Sequence, residues 1–342
     1  MLILNKDRSG KPIEIRPPVM RRAVLAVGMS LMLAATGLAA TDPAVEPLAA
    51  PQEGQPTFRS SIELVTVTVA VRDGRGRVIK DMKQSDFEVF DSGSPVKIKD
   101  FYAGDAPISL AVLLDISGSM SVSGNIDRAR EAVKMAMQTL RAGTDEAALF
   151  TFDSQLQEVV RFTQDLDRVH RVSLEGKPWG TTLLYDAIAQ TAELVAARAN
   201  RHRALLVITD GVDSGSTMTA PQVSAVASEI DVPVYLLTVV NPLDHTGGEF
   251  AVGGEAQAAQ TATLADLARW TGGDMRIASV PAHTAEAIRD LFTELRHQYL
   301  ITFEPGTRPG WHPLEIRARK KNLIIHARSG YVAGPSRRNG TL

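Results

Sequence analysis

The sequence predicts an α/β protein with a doubly wound, mostly parallel sheet that carries helices on both faces. A small flanking β unit, formed from N- and C-terminal strands, completes the prediction. Between residues 108 and 298, short apolar runs alternate with segments whose apolar residues recur at helical spacing, which is typical of such a sheet. Before and after this region, apolar and polar residues alternate at period two between turn residues, which indicates antiparallel strands.

The N-terminal flank is predicted to form two β-hairpins. Ser61–Val71 (SIELVTVTVAV) alternates apolar and polar residues, and Arg77–Ile79 is predicted to return as a strand after the turn at Asp73–Gly76. Phe87–Phe90 and Val96–Phe101 enclose a turn-rich segment and predict the second hairpin. A unit of this size is marginal if it has to fold alone, so we expect it to pack against another part of the chain.

The central region begins with Ile108–Leu114 (ISLAVLL), a continuous apolar run that predicts a strand buried on both faces. Ala204–Thr209 (ALLVIT) predicts a second buried strand of the same kind. The other predicted strands are Glu146–Phe152, Leu156–Phe162, Val232–Val240 and Met275–Ile277. Helices are predicted between Ile126 and Leu140 and at Leu183–Ala197, Pro221–Ser228, Leu264–Trp270 and Ala285–Gln298.

The C-terminal flank returns to β structure, with strands predicted at Tyr299–Phe303, Leu314–Ala318 and Leu323–Ala327. Because neither flank can bury a core by itself, we expect these strands to pack with the N-terminal unit. The predicted division is therefore an N-terminal β unit at residues 57–104, a central domain at 105–298, C-terminal strands at 299–334 and a disordered tail at 335–342.

Residues 1–40 predict a secretory signal peptide. Met20, Arg21 and Arg22 precede the apolar run Ala23–Ala40, which ends in small residues. Because the polar stretch Met1–Val19 fits poorly before such a leader, we expect translation to start at Met20. Residues 41–56, rich in Pro, Ala and Glu, predict a flexible linker. The expected location is therefore periplasmic or secreted. The alternative is that the apolar run stays in place as a single N-terminal membrane anchor.

Composition excludes several classes of function. The chain has 342 residues, with 37 Lys and Arg against 39 Asp and Glu, and a formal net charge of −2. This balance, without a long basic run, argues against nucleic acid as a partner. Cysteine is absent, which excludes disulfide scaffolds, thiol catalysis, zinc ribbons and iron–sulfur sites.

Polar side chains follow the first buried strand as Asp115-Ile116-Ser117-Gly118-Ser119, a D-x-S-x-S run. Ligands of open α/β sheets bind at the carboxyl ends of the strands, where these side chains are expected. Thr209-Asp210-Gly211 places a second carboxylate at the end of another buried strand, and Gly180-Thr181-Thr182 brings hydroxyls to the start of a helix. Carboxylate and hydroxyl oxygens suit Mg²⁺ or Mn²⁺, so three loops are predicted to converge on one cation.

These residues resemble the metal-ion-dependent adhesion site of the von Willebrand factor type A domain. The family pattern has D-x-S-x-S after the first strand, a Thr before a central helix and an Asp in a T-D-G segment. It corresponds to Asp115, Ser117, Ser119, Thr182 and Asp210. Thr182 is chosen over its neighbour because the family Thr lies four residues before an Asp, and Asp186 stands at that spacing here.

The resemblance implies Mg²⁺, with Mn²⁺ or Ca²⁺ as alternatives, held directly by some of these side chains and through water by others. It also implies an open coordination position that attracts a Glu or Asp of an unidentified partner protein. The flanks resemble an acidobacterial subgroup, through Val67–Arg77, Asp86–Asp91, Gln298–Leu300 and Arg328–Tyr331.

The predicted loop Asn241–Gln260 follows a buried strand and is expected to overhang the same edge of the sheet. It is either a specificity loop for the partner or a mobile insertion. Asp213, Asp244 and Glu249 are either additional metal ligands or solvated surface carboxylates.

Two other functions compete with an exported, non-enzymatic, adhesion-type binding protein. The first is a metal-dependent phosphatase-like hydrolase that attacks phosphate with Asp115. Such enzymes use D-x-D, whereas Ser117 holds the second position here, and G-x-S-x-G, H-E-x-x-H and Walker motifs are absent from the chain. The second is a structural envelope protein with a degenerate site, which the presence of all five expected residue types disfavours.

Overall fold

The computed structural model describes residues 64–242 and 255–334. The predicted signal peptide, linker and C-terminal tail lie outside these residues, as do residues 243–254 of the predicted Asn241–Gln260 loop, with Asp244 and Glu249.

No helix in the described ranges combines the length and the apolar character needed to cross a lipid bilayer.

The strands are β1 (Val65–Asp73), β2 (Phe87–Asp91), β3 (Ser94–Val96), β4 (Ile98–Ala103), β5 (Ile108–Asp115), β6 (Glu146–Phe152), β7 (Leu156–Thr163), β8 (His202–Thr209), β9 (Val234–Val239), β10 (Met275–Ala278), β11 (Tyr299–Phe303), β12 (Gly310–Ala318), β13 (Leu323–Ala327) and β14 (Gly330–Ala333). The helices are α1 (Asn125–Thr139), α2 (Leu166–His170), α3 (Leu184–Ala196), α4 (Ala220–Glu229), α5 (Glu255–Trp270) and α6 (Pro281–Arg296).

The central sheet has the strand order β10-β9-β8-β5-β6-β7. Every neighbouring pair is parallel except β6 and β7, which are antiparallel. The chain order reverses at β5, which pairs with β6 on one side and with β8 on the other. The loops that leave β5 and β8 therefore start side by side at a topological switch point, where α/β proteins bind their ligands.

Alternate side chains of β5 enter two separate cores, one on each face of the sheet. Leu110 and Val112 pack among residues of α1, α2 and α6, whereas Ala111 and Leu113 pack among residues of α3, α4 and α5. All of β5 is buried, which explains its continuous apolar sequence. The predicted doubly wound sheet with helices on both faces is confirmed.

The flanking β unit consists of two four-stranded sheets, with the orders β13-β1-β11-β4 and β14-β12-β2-β3. Within them, β1 pairs antiparallel with both β11 and β13, and β2 pairs antiparallel with β12. A third hydrophobic core, which includes Val69, Phe87, Tyr299, Ile316 and Tyr331, joins the two sheets. Strands from both ends of the described chain thus share one core, and the flanking unit of the predicted fold class is confirmed.

A buried ion pair connects the flanking unit to the central domain. Arg72 of β1 donates from Nε to Oε2 of Glu294 on α6. Their exposed fractions are 4% and 0%. Oε1 of Glu294 accepts a 2.7 Å hydrogen bond from the Tyr235 hydroxyl on β9. The carboxylate of Glu294 therefore joins three elements, β1, β9 and α6.

The structure corrects several predicted elements. Arg77–Ile79 is no strand, because only Val78 forms an isolated bridge, to Arg72. Phe87–Phe90 and Val96–Phe101 do not form one hairpin, since β2 turns directly into β3 and the chain then continues as β4 in the other sheet. Helix α5 begins at Glu255, inside the predicted Asn241–Gln260 loop.

Candidate metal centre

Three loops meet at the carboxyl edge of the central sheet, and backbone hydrogen bonds hold them together. The Gly118 amide donates to the Gly180 carbonyl at 3.0 Å, and the Ser214 amide donates to the Thr182 carbonyl at 3.0 Å. A Cβ on Gly118 would lie 3.3 Å from the Gly180 carbonyl oxygen, closer than most side chains tolerate. Glycine at position 118 therefore lets the loop after β5 approach the segment before α3.

Asp115 is the last residue of β5 and is fully buried. Its Oδ1 accepts a 2.9 Å hydrogen bond from the Ser117 amide, and its Oδ2 accepts a 2.6 Å hydrogen bond from the Thr209 hydroxyl. Burial raises the pKa of Asp115 to about 7; hydrogen bonds from Ser117 and Thr209 oppose this rise, and the negative charge of Asp210 adds to it.

The serines of the D-x-S-x-S run connect the two carboxylates. The hydroxyl oxygens of Ser117 and Ser119 lie 3.0 Å apart and share a hydrogen bond. The side chain of Ser119 also lies close enough to Asp210 to lower the pKa of that carboxyl, and Asp210 directly follows β8 and is 6% exposed. Burial raises the pKa of Asp210, and the nearby Ser119 side chain opposes that rise. Four of the five predicted site residues therefore lie together at the ends of β5 and β8.

Thr182 lies beside this group and precedes α3 by two residues. It is 2% exposed, and its amide donates a 3.0 Å hydrogen bond to the Ser214 hydroxyl. The neighbouring residue Leu183 donates from its amide to the Asp153 carbonyl at 3.0 Å, which ties the segment to the end of β6. These contacts place Thr182 between the loops, although its hydroxyl makes no described hydrogen bond to the other four residues.

Asp213, for which the sequence left a metal ligand and a solvated carboxylate as alternatives, connects the loop after β8 to the start of α3. Its Oδ1 accepts hydrogen bonds from the Leu184 amide at 2.9 Å and from the Ser216 hydroxyl at 2.6 Å. Ser216 in turn accepts from the Tyr185 amide at 3.0 Å. Side chains of the loop after β8 therefore accept hydrogen bonds from the free amides at the start of α3. An N-cap residue usually does this for its own helix.

Thr209 contacts the candidate site, and sequence reasoning gave it no role beyond ending a strand. Its hydroxyl donates to Asp115 and accepts a 3.0 Å hydrogen bond from the Gly211 amide. The available signal was its place in the T-D-G segment, but the sequence does not show that β5 and β8 are neighbours, which is what brings Thr209 to Asp115.

The donor set suits a hard divalent cation. Asp115 and Asp210 are two buried carboxylates that repel each other, and neither forms an ion pair with a Lys, Arg or His of residues 64–242 or 255–334. In the same ranges, no group of three or more His, Cys, Asp or Glu is placed to hold a metal. A metal at this edge would therefore depend on hydroxyl oxygens in addition to the two carboxylates, and such oxygen ligands fit Mg²⁺ better than softer metals.

Comparison with solved structures finds proteins of low sequence identity. An aerotolerance-related membrane protein from Bacteroides fragilis is 18% identical over 55% of this chain and 98% of its own, with a TM-score of 0.43. A von Willebrand factor type A protein from Catenulispora acidiphila is 13% identical over 80% of this chain and 75% of its own, with a TM-score of 0.41. The pilus adhesin SpaC from Lactobacillus rhamnosus GG is 10% identical over 72% and 47%, with a TM-score of 0.43.

No curated protein sequence is significantly similar to the chain. The likeness of the flanks to an acidobacterial subgroup stays a prediction.

The family comparison agrees with the geometry. The model for the von Willebrand factor type A domain matches residues 110–212, a range that starts in β5 and ends just after Asp210. This range includes all five predicted site residues. Residues 110–212 are therefore similar to a von Willebrand factor type A domain.

Proposed function

We propose that this is an exported, non-enzymatic binding protein that engages an acidic group of a partner protein through Mg²⁺. Asp115, Ser117, Ser119, Thr182 and Asp210 would hold the cation. The match to the von Willebrand factor type A domain model supports a role in protein interaction. The buried carboxylates of the site support the use of a metal.

The observation that carries the proposal is the pair of buried carboxylates at the ends of β5 and β8. Asp115 and Asp210 are 0% and 6% exposed; Asp115 accepts a hydrogen bond from the Thr209 hydroxyl and Asp210 one from the Val212 amide, and neither pairs with a basic side chain of the described residues. Burying two like charges without a cation costs free energy. A divalent cation would offset that cost, which makes these oxygens a favourable place to bind one.

The five residues would supply two kinds of oxygen ligand. Asp115 and Asp210 would supply negative charge, and Ser117, Ser119 and Thr182 would supply neutral oxygens. Two carboxylates can at most neutralise a bound dication, and the neutral hydroxyl ligands add no negative charge, so the cation keeps an affinity for a further anionic oxygen. When bound, the cation supplies that open position for a partner carboxylate.

The test is a calorimetric titration of the purified protein with MgCl₂. We expect one Mg²⁺ per chain for the wild type and no binding for Asp115→Asn. Asp266→Asn is the matched control, because this carboxylate lies exposed on α5 beside Arg269. Equal binding by the wild type and Asp115→Asn would contradict the proposal.

The hydrolase alternative is tested with p-nitrophenyl phosphate and Mg²⁺. In the structure, the Ser117 hydroxyl shares a hydrogen bond with the Ser119 hydroxyl, and an unactivated hydroxyl is a poor proton donor near neutral pH. We therefore expect no hydrolysis above background. Hydrolysis that disappears in Asp115→Asn would favour the enzyme instead.

The export that we propose rests on the leader pattern of the sequence alone. Fractionation of cells that produce the full chain should place it in the periplasm or the medium. Recovery from the cytoplasm without loss of residues 1–40 would contradict export.

A further inference from the structure

The two most exposed large apolar side chains of the described residues belong to loops that also carry residues of the candidate metal centre. Trp179 is 81% exposed and Val122 is 58% exposed, ahead of Ile324 at 48%. Trp179 precedes Thr182 by three residues, and Val122 follows Ser119 by three residues. Each therefore belongs to a loop that contributes to the site. Exposure of apolar side chains at one edge of a protein often marks an interaction surface.

Trp179 is displayed on a fixed backbone. Its amide donates a 3.0 Å hydrogen bond to the Ile116 carbonyl, and the next residue, Gly180, accepts from Gly118 at 3.0 Å. Farther back in the same loop, the Arg130 guanidinium donates to the Gly176 carbonyl. Because the backbone of this loop is already fixed, a partner that covers the Trp179 side chain does not have to order the loop, and exposed tryptophans with a rigid backbone are typical interface hot spots.

Val122 lies in a turn whose backbone is unusual. Ser123 has φ of 51° and Gly124 has φ of 74°, a left-handed conformation that costs a non-glycine residue free energy. The Ser123 carbonyl accepts a 2.8 Å hydrogen bond from the Arg128 guanidinium on α1. The turn is thereby held at the start of α1 with Val122 exposed to solvent.

We propose that Trp179 and Val122 form the apolar half of the partner-binding surface, next to the cation that binds the carboxylate. The partner would be a protein segment in which an acidic side chain stands beside an apolar one. This inference rests on the proposed function, because it places the acidic side chain on the metal. The metal contact fixes the orientation of the segment, and burial of the apolar side chain against Trp179 adds affinity and selectivity.

The experiment uses two small probes that share one carboxylate, propionate and 3-phenylpropionate. Each is titrated into the Mg²⁺-loaded full-length protein by calorimetry, and tryptophan fluorescence is recorded in parallel. We expect 3-phenylpropionate to bind about tenfold more tightly than propionate, since its ring buries apolar area on Trp179. We also expect it to change the tryptophan emission.

Tryptophan variants distinguish binding to this apolar surface from binding to the metal site. Trp179→Ala should remove the preference for 3-phenylpropionate and leave Mg²⁺ and propionate binding unchanged, whereas Trp179→Phe should keep most of the preference. Trp311→Ala is the matched control, because Trp311 is 45% exposed but lies on β12 of the flanking unit. Thermal unfolding checks that each variant is folded.

The outcomes distinguish the two proposals. Equal affinity for both probes, or a preference that survives Trp179→Ala, overturns the role of Trp179 and leaves the metal site standing. Failure of both probes to bind the Mg²⁺-loaded protein overturns the proposed function and this inference together. Flotation with phosphatidylglycerol vesicles that requires Trp179 and not Mg²⁺ would overturn the inference in favour of a membrane surface.

Discussion

Thr209 donates a 2.6 Å hydrogen bond from its hydroxyl to Oδ2 of Asp115. The two residues end the neighbouring parallel strands β8 and β5, and both are fully buried. The same hydroxyl oxygen accepts the Gly211 amide at 3.0 Å. Thr209 therefore fixes one oxygen of Asp115 and the first turn of the loop that carries Asp210.

Thr209→Val should weaken Mg²⁺ binding as well as the fold. Valine has nearly the shape of threonine, but it leaves Oδ2 of Asp115 and the Gly211 amide without their partner. Leaving a buried polar group unsatisfied costs about 1–3 kcal/mol. We expect a loss of that size in the free energy of unfolding, measured with urea, and about a tenfold loss of Mg²⁺ affinity, as for other groups that orient metal ligands.

Thr238→Val is the matched control for this variant. Thr238 faces Thr209 across the β8–β9 pair, and it is also fully buried. Its hydroxyl has no hydrogen-bond partner in the described structure, so valine removes a polar group that makes no bond. We expect unchanged or slightly higher stability and unchanged Mg²⁺ affinity. Equal losses in the two variants would show that Thr209 matters only for packing.

Asp115→Asn should stabilise the metal-free protein while it abolishes stabilisation by Mg²⁺. The change removes one of two buried like charges, and we expect the free energy of unfolding without metal to rise on the order of 1 kcal/mol. A ligand at 100 times its dissociation constant stabilises a protein by about 2.7 kcal/mol. Differential scanning calorimetry with EDTA and with MgCl₂ should therefore rank the two proteins in opposite orders.

Either of two results of these calorimetric scans would contradict this prediction. If Asp115→Asn lowers the unfolding temperature in EDTA, the negative charge of Asp115 stabilises the fold through its hydrogen bonds. If Mg²⁺ raises the unfolding temperature of both proteins equally, the cation binds elsewhere.

The sequence predicts those parts of the site that are local in the chain. The apolar runs before Asp115 and Asp210 predict buried strands, and residues at the ends of such strands fall at one edge of the sheet. The hydrogen bond between Thr209 and Asp115 was not predictable, because it depends on which strands are neighbours. The exposure of Trp179 was equally hidden, since a Pro-Trp-Gly segment alone does not show whether its tryptophan is covered.

In the flanking unit, the sequence predicts the strands but not which sheet each strand joins. The alternation in β1 and β11 predicts antiparallel strands, and pairing between the two ends of the chain follows from their small size. The assignment of β2 and β4 to different sheets depends on the packing of Phe87 and Ile98 into one shared core. Short-range turn signals at Asp91–Pro95 instead predicted a single hairpin.

His312 and Asp91 should make the stability of the flanking unit depend on pH. Nδ1 of His312 lies 2.7 Å from Oδ1 of Asp91, and Nε2 lies 2.6 Å from the Arg308 carbonyl. Both neighbours are acceptors, so both ring nitrogens donate, which requires the imidazolium form. Burial lowers the pKa of His312, but the hydrogen bonds from the ring to Arg308 and Asp91 outweigh burial and raise it overall.

The direction of the pH dependence of stability follows from the raised pKa of His312. The imidazolium contributes its full stability below pH 6.5, the ordinary pKa of histidine, and loses it as the pH rises through the higher pKa of the folded protein. The pKa of Asp91 is lowered, so its contribution is complete above pH 3.8 and is lost at lower pH. Burial opposes this lowering, and hydrogen bonds from Gly306, Tyr331 and His312 outweigh it.

Urea unfolding of the wild type and His312→Asn should therefore differ most between about pH 4 and pH 6.5. The difference should shrink as the pH is raised toward 9. His170→Asn is the control, because His170 is exposed at the end of α2. A difference that stays constant from pH 5.5 to pH 9 would mean that His312 acts only by packing.

Glu294→Gln should be among the most destabilising single changes outside the candidate metal centre. The carboxylate of Glu294 is fully buried against Arg72 and Tyr235, and its loss leaves the guanidinium with only Asp274 at 3.5 Å. Removing one partner of a buried ion pair costs about 3–5 kcal/mol. Urea unfolding at pH 7 measures this loss. Glu315→Gln is the control, because Glu315 and Arg317 form a surface pair with half-exposed side chains, and its disruption should change the free energy of unfolding little.

The cost of Glu294→Gln should also depend on pH. Burial acts to raise the pKa of Glu294, yet His326 and Arg72 lower it to about 2. The difference in stability between the wild type and the variant should therefore persist above pH 4.5 and narrow as the pH falls toward 2. A cost no larger than that of Glu315→Gln would show that the Arg72–Glu294 pair does not hold the flanking unit to the central domain.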